Sequence, residues 1–125
     1  MKVLIVDDNK QARAMIKQYL RDLTDETREC EDGADVLSAY KAFLPDWVLM
    51  DWEMKRVNGL VATRQIIANF PDAKILMVTN YNEKDLQIAA KDAGASGFVL
   101  KDDLLTLHSF LKKANEHQPG TKDLI

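Results

Sequence analysis

KVLIVDDNK, residues 2–10, sets four consecutive apolar residues, Val3-Leu4-Ile5-Val6, directly against two adjacent aspartates, Asp7-Asp8. An apolar run with no polar alternation has the pattern of a strand covered on both faces, as in a parallel sheet sandwiched between helices. The aspartates mark where that strand surfaces. Two like charges side by side at the end of a buried strand call for a physical reason, because each raises the cost of ionising the other.

The same pattern recurs along the chain. Apolar runs at residues 47–50, 75–78 and 98–100 alternate with segments of helical period, and a polar candidate strand at 27–30 suits a sheet edge. Five apolar stripes follow the i, i+3, i+4 spacing of a half-buried helix. The first is Ala12, Met15, Ile16, Tyr19, Leu20 and Leu23, and the second is Val36, Leu37, Tyr40 and Phe43. The third is Leu60, Thr63, Ile67 and Phe70, and the fourth is Leu86, Ala89, Ala90 and Ala93. The fifth is Leu104, Leu107, His108 and Leu111, where His108 reads as a partly buried packing residue. Asn82 with Asp85 has capping-box spacing for the fourth helix, and Asp102 or Asp103 suits the cap of the fifth. A β-α unit repeated five times implies a doubly wound α/β sandwich, a flavodoxin-like (βα)5 fold with a parallel sheet in the order 2-1-3-4-5.

Bulk properties narrow the classes. A chain of 125 residues, 46% hydrophobic, is one domain's worth of sequence and buries roughly two-thirds of its unfolded surface. We expect the domain to span residues 1–117, with 118–125, which contain Pro119-Gly120, as a flexible tail or the start of a linker. A formal net charge of −3 lacks the concentrated positive field that phosphate-backbone binding requires, so no direct nucleic acid contact is expected. The single Cys30 has no partner for an intramolecular disulfide and reads as a small apolar filler. No apolar stretch is long enough to span a bilayer, and together these features point to the cytoplasm without membrane partners.

Each buried run is followed at once by a chemically useful residue: Val6 by Asp7-Asp8, Met50 by Asp51, Val78 by Thr79, Leu100 by Lys101. In parallel strands these positions share the carboxyl edge of the sheet, where doubly wound folds place their ligand crevice. Crowded carboxylates need a compensating cation, and an all-oxygen ligand set suits Mg²⁺ together with phosphate oxygens. A hydroxyl, a metal, an ammonium and the carboxylate of Asp51 describe a site for a transferable phosphoryl group, with that carboxylate as nucleophile.

These residues resemble the receiver domain of two-component response regulators over the chain up to about residue 117. The matching signals are VDD at 6–8, D-x-x-M from Asp51 to Met54, Gly59, VT at 78–79, the AGA-x-G-F stretch at 93–98, and Lys101. The resemblance implies a phosphoacceptor, Asp51, loaded by a sensor histidine kinase or phosphotransfer protein. It implies Mg²⁺ held by Asp8, Asp51 and the backbone carbonyl of Glu53, with Asp7 acting through water. Thr79 and Lys101 would contact the acyl phosphate, and Phe98 would be the aromatic switch. Domains of this kind catalyse only their own phosphorylation and dephosphorylation, and control an output that is here expected to be transcription.

Departures from the family pattern carry expectations of their own. Lys55 replaces the usual proline after Met54, which frees a φ angle and suggests a more mobile loop. Lys101-Asp102 replaces Lys-Pro, as in regulators with a helix-turn-helix output, and a trans bond is expected there. Asn80, Tyr81 and Glu53 form a bulkier, more acidic rim that would hinder hydrolytic water and lengthen the life of a phosphoryl group. The fourth helix, with one leucine and three alanines, buries little apolar area and suits a movable element. Ile88 and Leu105 lie off the core stripes; they are either scattered surface residues or part of a face, made by the last two helices and the last strand, for a partner or a homodimer. Two other readings stay open: a haloacid-dehalogenase-like aspartyl phosphatase, which usually has D-x-D where this chain has Glu53, and a flavodoxin-like nucleotide binder, which needs a glycine-rich loop this chain lacks after its first strand.

Overall fold

The computed structural model describes residues 1–116, so His117 and the tail at 118–125 lie outside the described residues. Strands β1 (Lys2–Val6), β2 (Glu26–Cys30), β3 (Trp47–Met50), β4 (Ile75–Thr79) and β5 (Gly97–Leu100) alternate with five helices. The helices are α1 (Lys10–Tyr19), α2 (Val36–Phe43), α3 (Gly59–Asn69), α4 (Lys84–Asp92) and α5 (Leu104–Glu116), and a 3₁₀ turn, Gly33–Asp35, precedes α2. The five strands form one parallel sheet in the order β2-β1-β3-β4-β5. This is the flavodoxin-like order expected from the alternation of runs and stripes.

Strand periodicity explains why the apolar runs are unbroken. Side chains alternate across a strand, so Leu4, Val6, Val48, Met50, Ile75 and Met77 face one layer while Val3, Ile5, Leu49, Leu76 and Val78 face the other. The first layer is closed by α2, α3 and α4 through Val36, Tyr40, Phe43, Ala62, Ile66 and Ala90. The second is closed by α1 and α5 through Ile16, Leu20, Leu104, Leu107 and Leu111. β2 is the polar edge strand, and only Cys30 of its five residues is buried.

Three local expectations are corrected. In α1, Met15 and Tyr19 are 55% and 43% exposed while Arg13 is buried, because the helix meets the sheet along a narrow line through Ile16 and Leu20. In α3, the buried positions are Gly59, Ala62, Thr63 and Ile66, so of the expected stripe Thr63 is buried while Ile67 and Leu60 are only half-buried. The adjacent pair Ile66-Ile67 satisfies the helical spacing in two registers, and packing selects one. The capping box does not form: Glu83 stands at the N-cap of α4 with no side-chain cap bond, and Gln87 Nε2 donates to the Asn82 carbonyl instead (3.0 Å). Of the two candidates for α5, Asp103 is the cap, accepting from the Thr106 N–H (3.2 Å) and hydroxyl (2.6 Å). No cis peptide occurs among the described residues, so Lys101–Asp102 is trans as expected.

α2 ends on Leu44, a left-handed residue at φ 50° whose side chain is 60% exposed and whose N–H caps the Tyr40 carbonyl (2.7 Å). A side chain costs about 1–2 kcal/mol in that region, and little apolar burial would be lost with it. Leu44→Gly is therefore expected to raise stability by about 0.5–1 kcal/mol in urea denaturation, after the entropy cost of glycine is deducted. A decrease would mean that Leu44 packs more than its exposure indicates.

Candidate functional site

Four strands deliver the site. The ladders continue past the strand ends: Asp51 N–H donates to the Val6 carbonyl (2.9 Å), Asp7 N–H to the Cys30 carbonyl (3.0 Å) and Lys101 N–H to the Thr79 carbonyl (2.8 Å). Parallel register thus brings Asp7, Asp51, Thr79 and Lys101 to one edge. Their side chains meet there. Lys101 Nζ lies 2.7 Å from Asp7 Oδ2 and 3.2 Å from Asp51 Oδ1. Carboxylate oxygens of Asp7, Asp8 and Asp51 all lie within 4.8 Å of one another.

Burial decides the electrostatics. Asp7 and Asp51 are only 1% and 6% exposed, whereas Asp8 is open to solvent. Burial first, then the charge of Asp7, pushes the Asp51 carboxyl up to about 6, and Lys101 and the Trp52 N–H (2.9 Å) pull the other way. Lys101 experiences the opposite balance. Burial disfavours its charge, but the hydrogen bond to Asp7 and the charge of Asp51 outweigh that and raise its pKa. Asp51 Oδ1 accepts from both Lys101 and Trp52. Among the described residues, none donates to Oδ2.

The surrounding cleft, of about 640 Å³, is walled by Asp8, Glu53, Lys55, Thr79, Tyr81 and Lys101 among others. Thr79 is fully buried, and its Oγ1 accepts a long bond from the Tyr81 N–H (3.4 Å). Glu53, beside the exposed Tyr81 hydroxyl, raises that phenol's pKa. Gly59, at the start of α3, is required by close approach: a Cβ there would sit 2.0 Å from the Asp51 carbonyl oxygen. Phe98 is not in this cleft. It is half-buried against the first core layer and lines a separate groove with Lys84, Ile88 and Lys91 of α4.

Sequence reasoning missed Arg13 and Asp32. Arg13 is 6% exposed; its Nη1 donates to the Asp7 carbonyl (2.5 Å) and its Nε to Glu29 (2.9 Å), which fixes the turn leaving β1. Its signal was its spacing three residues before Ile16, on the stripe but with the wrong polarity. Asp32, within Glu31-Asp32-Gly33, has no local pattern in the sequence that sets it apart from a solvated acid. His108 is half-buried as expected, and also faces the Asp22 carboxylate at 2.9 and 3.0 Å. Cys30 is buried among core residues, and burial followed by the charge of Asp35 pushes its thiol up to about 11, in keeping with an inert filler.

The chain matches the family profile "Response regulator receiver domain" over residues 3–112. It belongs to the response-regulator receiver family. The chemotaxis protein CheY of Listeria monocytogenes is 35% identical over 102 residues, covering 81% of this chain and 86% of that protein. The transcriptional regulatory protein DegU of Brevibacillus brevis is 31% identical over 104 residues, 82% of this chain but 44% of DegU. The response regulator GacA of Pseudomonas aeruginosa is 35% identical over 103 residues, 81% of this chain and 48% of GacA. The chain therefore spans about half the length of those two regulators. Among solved structures, the response regulator domain of Thermotoga maritima CheB superposes with a TM-score of 0.83 at 24% identity, covering 95% of this chain and 98% of that one. Vibrio cholerae CheY4 superposes at 0.82 and 26% identity, covering 90% and 96%. Membership in the receiver family sets aside the phosphatase and nucleotide-binding alternatives. No helix among the described residues is long and apolar enough to cross a membrane.

The raised Asp51 value has a signed consequence. A carboxyl whose folded pKa exceeds its unfolded value stabilises fully below about pH 4, and that stability is lost as pH rises through about 6. Without divalent cation, Asp51→Asn is expected to be more stable than the native chain by about 1–2 kcal/mol near pH 8, the open cleft moderating the full shift, and to match it near pH 4. Thermal melts at the two pH values check this. An advantage that is equal at both would assign the effect to something other than ionisation.

Proposed function

We propose that this receiver domain is a phosphoacceptor switch in a two-component system, with Asp51 as the acceptor and transcription as the controlled output. The observation that carries the reading is the convergence of Asp7, Asp51 and Lys101, with the ammonium 2.7 and 3.2 Å from the two carboxylates. Such a site holds the Lys101 ammonium between two carboxylates in the resting state and has a place for an anion once Asp51 becomes an acyl phosphate. A cytoplasmic setting and a sensor histidine kinase or phosphotransfer partner follow from the family.

The donor set fits a hard divalent cation: oxygen ligands only, two of them buried, with the Asp51 carboxyl pushed upward by burial and then by the charge of Asp7. Asp8, Asp51 and the Glu53 carbonyl would hold Mg²⁺, with Asp7 acting through water. The ion would offset carboxylate charge and draw in phosphoryl oxygens. In the transfer, an Asp51 carboxylate oxygen attacks phosphorus, the P–N bond of the donor phosphohistidine breaks, and the freed imidazole keeps the electron pair. Lys101 then exchanges its Asp51 oxygen for a phosphoryl oxygen, so the new charge of roughly −1.5 to −2 finds a partner in place.

Thr79 Oγ1 is the second group to move. Turning to a phosphoryl oxygen costs it only the long Tyr81 contact (3.4 Å), and the loop leading into α4 follows. α4 offers little resistance, since Ala90 is its only fully buried residue and its N-cap side chain makes no bond. Phe98, in the groove beneath α4, is placed to respond as the aromatic switch. Ile88 and Leu105, 49% and 73% exposed, give the α4-β5-α5 face apolar contacts for a partner or a homodimer. The Glu53–Tyr81 rim supports the expectation of a long-lived acyl phosphate.

Intact-mass measurement after incubation with acetyl phosphate and Mg²⁺ tests the reading. A gain of one phosphoryl group is expected in the native chain and none in Asp51→Ala; equal labelling of both would refute the assignment. Glu53→Gln with Tyr81→Ala should shorten the acyl-phosphate half-life several-fold, on the order of the 1 kcal/mol that opening a site to water is asked to supply. An unchanged half-life would remove the rim from the account.

A further inference from the structure

We propose that Asp32 is a positioning residue, a strap that holds the loop between β3 and α3 in the shape the acid cleft needs; its purpose rests on Asp51 being the phosphoacceptor. Asp32 touches none of the reacting groups. It sits on the turn after β2, 5% exposed, and spends both carboxylate oxygens on backbone donors. Oδ1 accepts from Ala34 N–H (2.9 Å) and Val57 N–H (3.0 Å), and Oδ2 from Arg56 N–H (2.8 Å). Two of the three donors lie 24 and 25 residues away, on the loop that begins at Asp51.

Neighbouring contacts make the strap tight. The Gly33 N–H donates to the Val57 carbonyl (3.2 Å), and a Cβ on Gly33 would lie 2.4 Å from that oxygen, so only glycine allows the two loops this close. The Arg56 guanidinium adds an exposed pair with Asp35 (3.1 Å). At its other end the loop is fixed by the Asp51 N–H on the Val6 carbonyl (2.9 Å). Glu53, Met54 and Lys55, which wall the cleft, are strung between these two anchors.

Lys55 gives the strap particular weight in this chain. Position 55 has no pyrrolidine ring to fix its φ, so bonds from outside the loop must fix its path. Burial opposes charge on Asp32, yet the Arg56, Ala34 and Val57 N–H groups outweigh it and hold the carboxyl low, so the strap stays ionised at neutral pH. Asparagine cannot make all three bonds: one of the two oxygens becomes an NH₂, which faces the Arg56 N–H if the remaining oxygen keeps Ala34 and Val57. Outer groups that orient ligands typically govern metal affinity by 10–100-fold.

Amide hydrogen exchange in the metal-free native chain is the first arm of the test. Arg56 and Val57 N–H should be protected although both residues lie in a surface loop, and exchange at the intrinsic rate would overturn the proposal. The second arm is Mg²⁺ titration followed by tryptophan fluorescence, Trp52 lining the cleft. Asp32→Asn should weaken Mg²⁺ binding about 10-fold or more. Ile16→Val, a buried change in the opposite layer, should leave it unchanged, which separates positioning from general loss of stability. If Asp32→Asn does not fold, the exchange rates of the native chain decide alone. No phosphoryl uptake by the native chain overturns the phosphoacceptor reading and with it the strap's purpose. Uptake together with unaltered Mg²⁺ affinity in Asp32→Asn overturns the strap alone.

Discussion

The bridge from Lys101 to Asp7 and Asp51 is the interaction on which the site depends. A parallel sheet delivers two buried carboxylates to adjacent strand ends, and without a cation between them one would take up a proton. The ammonium keeps them charged and close. In the proposed reading it also keeps the site in a form that would accept either a metal ion or a phosphoryl group, because each would exchange one member of a balanced charge set for another. The cost of crowding the acids is thus retained as readiness to bind.

That bridge holds only because the loops bearing it are tied from behind. Arg13 grips the Asp7 carbonyl from α1, and Asp32 grips the loop beyond Asp51 from the turn after β2. Both are buried charges with several hydrogen bonds, the one condition under which burial of charge is tolerated. Lys55 was expected to leave that loop looser; two of the three bonds of Asp32 tie it down at residues 56 and 57. Rigidity is not spread evenly, however. α4 has one fully buried side chain and an unbonded cap, so the element nearest Thr79 is the one held least.

The sequence by itself determined the architecture. Unbroken apolar runs separated by helical stripes admit little but a covered parallel sheet, and the residues closing each run mark the edge where Asp7, Asp51, Thr79 and Lys101 gather. Local physics suffices for this, because strand periodicity and the position of a polar residue at a run's end are both carried by near neighbours in the chain.

What only the tertiary structure decided was contact across distance. Whether Ile66 or Ile67 faces the core, and whether Met15 or Arg13 is buried, depends on how a helix is rotated against a sheet formed by other segments. The pairing of Lys101 with both Asp7 and Asp51, the seat of Phe98 in the groove under α4, and the reach of Asp32 across 24 residues belong to the same class. Periodicity states which residues are apolar; packing alone states which surfaces meet, since it is set by all the elements at once.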